Sequence, residues 1–207
     1  SLDRTQVVLV AGNHDYMRRE SYYRTFQWSP NVHFLGSDRV EAVELPALET
    51  AVYGCSYHER QIREPLYDSA PAAGRQKTEI LLAHGGDGTH IPINRERLAG
   101  LGYAYVALGH IHMPQVVIPG LAAYAGALEP TDKNDTGKHG YIQGEITEGG
   151  TCFSFVPFAG REYIHCEVEV DRRTTGAGLA ELIQGKIEEK GVENIYKFLL
   201  KGYRDPD

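Results

Sequence analysis

Three short apolar segments each end in a glycine-flanked polar motif, and this recurrence strongly constrains the fold. Residues 7–10 lead into Gly-Asn-His-Asp, residues 80–83 into His-Gly-Gly, and residues 106–108 into Gly-His-Ile-His. Short apolar runs bounded by glycine are typical of buried strands. In open α/β sheets, ligands bind at the carboxyl ends of the strands. The sequence therefore predicts an α/β fold in which the three motifs meet on one rim.

The polar members of these motifs are candidate metal ligands: Asn13, His84, His110 and His112. Imidazole nitrogen and carbonyl oxygen are good ligands for Mn, Fe or Zn. The neighbouring glycines let the backbone turn sharply and approach a bound ion. Each motif alone is explained as well by a turn, a helix cap or a loop. The three together, each after an apolar strand, favour a metal site.

The rest of the chain is predicted to consist of short strands with few helices. Helices are expected at residues 21–28 and at 93–101, the latter with Asn94 as its N-cap, and residues 59–66 are helical or irregular. Further strands are expected at 32–35, 40–45, 51–54, 115–118, 121–125, 140–146 and 151–157.

Near residue 161 the pattern changes to strand, helix and strand, at 163–170, 178–190 and 195–200. This βαβ-like order predicts two domains, 1–160 and 161–207, the second being the beginning of a small α/β domain.

The net charge, the apolar runs and the cysteines limit the classes of protein to which this chain can belong. The formal net charge of −7 argues against a uniformly basic nucleic-acid binder. A nuclease stays possible because bound divalent metals supply local positive charge. No apolar run approaches the roughly 20 residues of a membrane helix, so no membrane contact is expected. The three cysteines lack Cys-x-x-Cys spacing and are expected to be reduced and mostly buried in a cytoplasmic protein.

The three motifs resemble those of the calcineurin-like metallophosphoesterases, in the same order. Their spacing resembles the DNA double-strand-break-repair exonuclease branch, of the SbcD and YhaO type. The run Tyr-Ala-Tyr-Val-Ala-Leu-Gly-His-Ile-His at 103–112 is close to that branch, as is Tyr-Ala-Gly-Ala-Leu-Glu-Pro at 124–130, followed by Gly-Lys-His-Gly-Tyr. The resemblance covers residues 5 to 160. It implies a four-layer sandwich of two facing sheets flanked by helices, followed by the start of a capping domain that positions DNA.

The resemblance also implies a pair of divalent metal ions. Asn13, His84 and His110 would ligate one ion, and His112 would ligate the other. Manganese is the metal expected, with iron, zinc or magnesium as alternatives.

Catalytic roles follow from the same resemblance, and candidate substrate contacts follow from the positions of basic residues in the sequence. His14 would lie by the scissile phosphate, where it stabilises the transition state or protonates the leaving oxygen. Asp15 would orient His14 by a hydrogen bond. Arg18, Arg19 and the glycine-flanked His139 are candidates for contacts with substrate, although a solvated helix start explains the two arginines equally well.

The sequence departs from the family pattern at its beginning. The family starts with Asp-x-His and then Gly-Asp-x-x-Asp, and neither motif precedes Gly12. These motifs hold most ligands of the second ion and the carboxylate that bridges the two. Asp68 and Asp87 have the wrong neighbours and order to replace them. We therefore expect an N-terminally truncated domain that is inactive by itself.

The reaction implied is metal-assisted hydrolysis of DNA phosphodiesters in DNA repair, as an exonuclease or endonuclease. Family members act with an SMC-like ATPase and often as dimers, so DNA, such an ATPase and a second copy of the chain are the expected partners. Two alternatives stay open. One is a phosphoesterase acting on nucleotides or other small phosphodiesters, and the other is a non-catalytic fragment that binds DNA or a partner subunit.

Overall fold

The protein is described by a computed structural model that covers residues 5–203. The chain forms two compact units. The first comprises the residues up to Gly126 together with Ile142–Val156, and the second comprises Ala127–Tyr141 together with the chain from Pro157 onward. Strands outnumber helices in both, and the predicted mixed α/β class is confirmed. The predicted domain boundary at residue 160 stays a prediction.

The first unit contains a small parallel sheet and a larger mixed one. The small sheet pairs β1 (Val7–Leu9) with β2 (Val32–Phe34). The larger sheet is formed by β3 (Glu41–Leu45), β4 (Thr50–Gly54), β5 (Thr78–His84), β6 (Tyr105–Gly109), β7 (Gln115–Ile118) and β8 (Ala122–Tyr124). Its strand order is β3-β4-β5-β6-β8-β7. Strands β4, β5, β6 and β8 run parallel, and β3 and β7 are antiparallel edges.

The central strands form because their apolar residues are buried on the sheet faces. Strands β5 and β6 alternate buried and half-buried positions, and β4 is buried from Ala51 to Gly54. The short helix α1 (Arg95–Ala99) inserts Leu98 into the same core. The side chain of Asn94 accepts hydrogen bonds from the Glu96 and Arg97 backbone N–H groups, which confirms the predicted N-cap.

The helix predicted at residues 21–28 is wrong. Only one 3₁₀ turn forms there, at Tyr22–Arg24, and no side chain caps its start. The aromatic residues of this segment pack on the small sheet instead, where the Tyr23 ring stacks on Phe34 with centroids 4.7 Å apart. Aromatic packing therefore overrides the helical pattern.

The later part of the chain matches the predicted βαβ order. Strands β9 (Gly140–Thr147) and β10 (Gly150–Pro157) pair with each other. They precede β11 (Tyr163–Val170), helix α2 (Gly176–Lys190) and β12 (Ile195–Gly202). Strands β11 and β12 pair in parallel along their full lengths. Neither α-helix in residues 5–203 is long and apolar enough to cross a membrane.

All three cysteines are free thiols. Cys55 and Cys166 are buried, whereas Cys152 is exposed.

Strand register brings the motif-bearing loops to one edge of the large sheet. His84 at the end of β5 lies opposite Gly109 at the end of β6, so His84 and His110 leave the sheet side by side. The third motif arrives from β1, whose extension is joined to the chain after β4. The Ser56 hydroxyl accepts from the Ala11 N–H at 2.9 Å, and the Ala11 carbonyl accepts from the Tyr57 N–H at 3.0 Å.

Candidate metal centre

Asn13, His84 and His110 converge on a shared oxygen atom. Asn13 Oδ1 lies 2.8 Å from His84 Nε2 and 3.3 Å from His110 Nδ1. The two imidazole rings meet edge to face, with centroids 5.2 Å apart. The structure thus brings together the three residues predicted to ligate one ion. Their role as ligands stays a prediction.

The three converging atoms suit a divalent transition metal. Each can offer a lone pair, and a carbonyl oxygen with two imidazole nitrogens is a donor set that Mn, Fe or Zn accepts. Asn13 is only 4% exposed, and the side chain of His110 is 13% exposed. Burial and then the neighbouring His110 lower the pKa of His84 to about 4. The His84 ring is therefore neutral at neutral pH, as metal binding requires.

Neighbouring residues pack closely around His84 and hold its ring and backbone in place. A Cβ atom on Gly12 would lie 2.6 Å from His84 Cε1, so only glycine lets the β1 loop pass the imidazole. The buried Tyr67 hydroxyl accepts from the His84 N–H at 3.0 Å and donates to the His84 carbonyl at 3.3 Å. The Tyr57 ring meets the imidazole edge-on, with centroids 5.3 Å apart. These contacts fix the ring that offers Nε2.

His110 has an unusual backbone. Its φ of 96° lies in the left-handed region that favours glycine. Non-glycine residues held in such conformations cost about 1–3 kcal/mol each and cluster at functional sites. The conformation of His110 is therefore an independent sign that this loop serves a site.

Asp87 and His90 lie against the outer side of His110. Asp87 Oδ2 is 2.9 Å from His110 Nε2 and 2.8 Å from His90 Nδ1. The potential ligand atoms of these three residues all lie within 4.8 Å of one another, so they could hold an ion themselves. Partial burial raises the pKa of Asp87, but hydrogen bonds from His110, Thr89 and His90 outweigh it and hold that pKa below its usual range.

The family motifs give no signal for Asp87. The spacing Asp-x-Thr-His is the one available clue, since an aspartate before threonine often accepts the backbone N–H groups that follow it. Asp87 Oδ1 does accept from the Thr89 N–H at 2.7 Å and the His90 N–H at 2.9 Å.

The predicted catalytic residues directly follow Asn13 in the loop after β1. His14 and Asp15 are both exposed. Asp15 Oδ1 accepts from the Gly12 N–H at 2.9 Å, and Asp15 Oδ2 accepts from the Tyr23 hydroxyl. Among residues 5–203 no hydrogen bond joins Asp15 to His14, so the proposed orienting role of Asp15 stays a prediction.

The other predicted site residues lie in different surroundings. His112 is exposed in the loop after β6, and its role at a second ion stays a prediction. The Arg18 guanidinium lies 4.5 Å from the centroid of the Tyr16 ring, and Arg19 is exposed. His139 belongs to the second unit, where it is 1% exposed and its Nδ1 lies 3.0 Å from the Gly137 carbonyl oxygen.

Comparison with known proteins gives the same class of protein as the motifs. The chain is similar to YhaO of Bacillus subtilis (strain 168), described as an uncharacterized metallophosphoesterase, with 26% identity over 214 residues. The match covers 95% of this chain and 51% of YhaO, so the chain spans about half the length of the curated relative it matches. No family model matches the chain. The description of this relative names the same superfamily that the three motifs resemble.

Proposed function

We propose that this chain carries part of the two-metal centre of a DNA phosphodiesterase that acts in DNA repair. The observation that carries the proposal is the convergence of Asn13 Oδ1, His84 Nε2 and His110 Nδ1 at the ends of separate strands. Divalent metal bound there, manganese above all, would supply a Lewis acid for the phosphate and an activated water. Asn13, His84 and His110 would hold one ion, and His112 would contribute to the second.

In this proposal His14 handles the leaving group. It follows the ligand Asn13 directly and is exposed, so its ring can reach a phosphate without binding metal. Asp15 is anchored by the Gly12 N–H and the Tyr23 hydroxyl, which keeps a negative charge in the same loop.

The four proposed ligands carry no charge. We therefore expect tight binding of the metal ions to depend on further residues that are negatively charged. Mn²⁺ also takes carboxylate ligands readily, and a site without them has little charge to hold a hard cation. The carboxylates of the family's Asp-x-His and Gly-Asp-x-x-Asp motifs would supply that charge. We therefore expect residues 1–207 alone not to hydrolyse DNA.

DNA, an SMC-like ATPase subunit and a second copy of the chain are the proposed partners, and the cytoplasm is the proposed location. Arg18 and Arg19, in the loop that follows His14, are the proposed contacts to the DNA backbone. His139 is also predicted to contact substrate, but it is buried within the second unit, and that role stays a prediction.

A second candidate is a phosphoesterase for nucleotides or other small phosphodiesters. The net charge of −7 favours it, because a long polyanion is repelled more strongly than a small substrate.

The test compares two substrates and two lengths of chain. Mn²⁺-dependent hydrolysis of a labelled DNA duplex and of bis(p-nitrophenyl) phosphate would be measured for residues 1–207 and for a chain extended upstream to include both motifs. The expected result is DNA cleavage by the extended chain only, abolished by His84→Ala. Cleavage of the small ester alone would favour the second candidate. Equal DNA cleavage by both chains would contradict the need for the upstream carboxylates, and DNA binding without hydrolysis of either substrate would indicate a non-catalytic binding protein.

A further inference from the structure

We propose that Asp87 is a positioning residue that sets the tautomer and orientation of His110, and that His90 holds Asp87 in place. The inference rests on the proposed metal centre, in which His110 is a ligand. It gives a defined role to a carboxylate that no family motif identifies.

The two nitrogens of the His110 ring face different neighbours. Nδ1 lies 3.3 Å from Asn13 Oδ1, and Nε2 lies 2.9 Å from Asp87 Oδ2. Both neighbours of the neutral ring are hydrogen-bond acceptors. The ionised carboxylate of Asp87 is the nearer and the stronger of the two, so we place the ring proton on Nε2. The lone pair of His110 is then on Nδ1, where it faces Asn13 and, beyond it, His84.

Asp87 itself already accepts hydrogen bonds from several donors. Its Oδ1 accepts from the Thr89 N–H at 2.7 Å, the Thr89 hydroxyl at 2.9 Å and the His90 N–H at 2.9 Å. Its Oδ2 accepts from His90 Nδ1 at 2.8 Å and from His110 Nε2 at 2.9 Å. A carboxylate has about four lone-pair sites, so these donors leave Asp87 little capacity to bind an ion directly. Its geometry suits a support for His110.

His110 needs support because its backbone conformation is unfavourable. Its backbone is held at a φ of 96°, so the local chain conformation is costly and must be stabilised by the surroundings. The His90 ring packs on the His110 ring with centroids 4.5 Å apart, and together with Asp87 it fixes the outer face of the imidazole. A carboxylate behind a metal-binding histidine fixes the ring and raises its basicity, and loss of such a partner typically lowers metal affinity about 10- to 100-fold.

One rival arrangement uses the same residues as direct ligands. Asp87, His90 and His110 could hold an ion among themselves, since their ligand atoms lie within 4.8 Å of one another. His110 would then have to offer Nε2 and carry its proton on Nδ1. The two arrangements therefore require opposite tautomers of His110.

The tautomer can be read in the metal-free wild-type protein by long-range ¹H–¹⁵N NMR of the imidazole nitrogens. The expected result is a protonated Nε2 and an unprotonated Nδ1 on His110. The opposite tautomer would overturn the inference, and this measurement needs no variant that might misfold. In Asp87→Asn the His110 spectrum should change to a tautomer mixture. Asp68→Asn is the matched control, because Asp68 bonds to the Asn94 N–H and to Arg97, and it should leave His110 unchanged.

Metal affinity provides the second readout. Co²⁺ is the probe, since it binds nitrogen ligands more tightly than Mn²⁺ and absorbs visible light when coordinated. Asp87→Asn should weaken Co²⁺ binding about 10- to 100-fold while keeping the same absorption spectrum. Asp87→Glu should recover part of the loss, Asp68→Asn should match wild type, and His84→Ala should define the background.

The outcomes of these experiments distinguish failure of the positioning role of Asp87 from failure of the proposed metal centre. Unchanged Co²⁺ affinity in Asp87→Asn would overturn the positioning role, as would a changed absorption spectrum that marks the loss of a direct ligand. Absence of Co²⁺ binding by wild type, with the expected His110 tautomer, would contradict the metal centre but leave the hydrogen bond from His110 to Asp87 as observed.

Discussion

At the scale of single residues, the environment of His84 explains how neutral ligands could be preorganised. The imidazole is confined by Gly12 on one side and by the Tyr57 ring on another, and Tyr67 holds its backbone. Its pKa of about 4 keeps it neutral across the physiological range. A metal would then bind without first displacing a proton or reordering the ring, which lowers the entropic cost of assembling the site.

His14→Ala should separate chemistry from metal binding. In the protein extended upstream, turnover should fall about 10²- to 10⁴-fold, the usual effect of removing a general acid or base. Metal content should stay normal, because His14 lies beside the ligand Asn13 and is not itself proposed to bind metal. The measurements are kcat and bound manganese by elemental analysis. Wild-type turnover, or loss of the metal, would contradict this role, and Glu20→Gln is a control for changes in the same exposed loop.

At the scale of elements, the loop after β5 is shaped by two consecutive glycines. A Cβ atom on Gly85 would lie 2.5 Å from the His90 carbonyl oxygen, and one on Gly86 would overlap the Tyr124 hydroxyl. That hydroxyl donates to the Gly85 carbonyl at 2.9 Å. The loop can therefore fold back toward His90 only if both positions lack side chains.

Gly86→Ala should destabilise the protein. Its φ of 118° is one that side chains rarely adopt, and the added methyl group would displace Tyr124. The expected loss in the free energy of unfolding is about 1–3 kcal/mol, measured by urea denaturation. Gly88→Ala is the matched control, since nothing lies within 4 Å of a Cβ there, and it should change stability by less than about 0.5 kcal/mol. Equal stability of the two variants would show that the loop rearranges freely.

Glu79 in β5 predicts a specific pH dependence. This residue is 6% exposed, and its carboxylate accepts hydrogen bonds from the Tyr53 hydroxyl and from the Gly74 and Arg75 N–H groups. Burial raises the pKa of Glu79, but these hydrogen bonds more than offset it, so the pKa lies below the ordinary value of 4.5. The stabilisation is thus present above pH 4.5 and is lost as the pH falls through the lowered pKa.

Glu79→Gln should therefore unfold more easily at pH 7 and lose less stability on acidification than wild type. The expected loss at pH 7 is about 1–3 kcal/mol, because buried donors lose a charged acceptor. Urea denaturation at pH 7 and pH 3.5 measures both effects. The exposed Glu145→Gln is the control and should follow wild type at both pH values. If the free energy of unfolding fell equally on acidification in Glu79→Gln and in wild type, the lowered pKa of Glu79 would be contradicted.

The sequence predicts some of these elements better than others, for physical reasons. The strands that end at His84 and His110 are recognisable because buried parallel strands need continuous apolar runs and glycines follow them. The helix prediction at residues 21–28 is wrong because the aromatic side chains of this segment pack on the small sheet. Local periodicity in the sequence does not predict such a contact. Asp87 lies 23 positions from its partner His110, so their contact depends on strand register and on the turn made by Gly85.

At the scale of the whole molecule, the strand topology of the first unit explains how the residues of the proposed ion site come together. Two motifs leave neighbouring parallel strands of the large sheet, and the third comes from the small sheet through Ser56 and Tyr57. A site assembled from segments this far apart in sequence forms only when the unit folds. Metal binding and folding of the first unit should therefore be thermodynamically linked.

The most direct test is the position of bound manganese in crystals of the chain extended upstream to include both motifs, soaked in Mn²⁺ and measured by anomalous diffraction. We predict a peak about 2 Å from each of Asn13 Oδ1, His84 Nε2 and His110 Nδ1. Asp87 should remain hydrogen-bonded to His110 Nε2 in that crystal. A peak between Asp87 and His90, or no peak near Asn13 when manganese binds elsewhere, would contradict the metal centre described above.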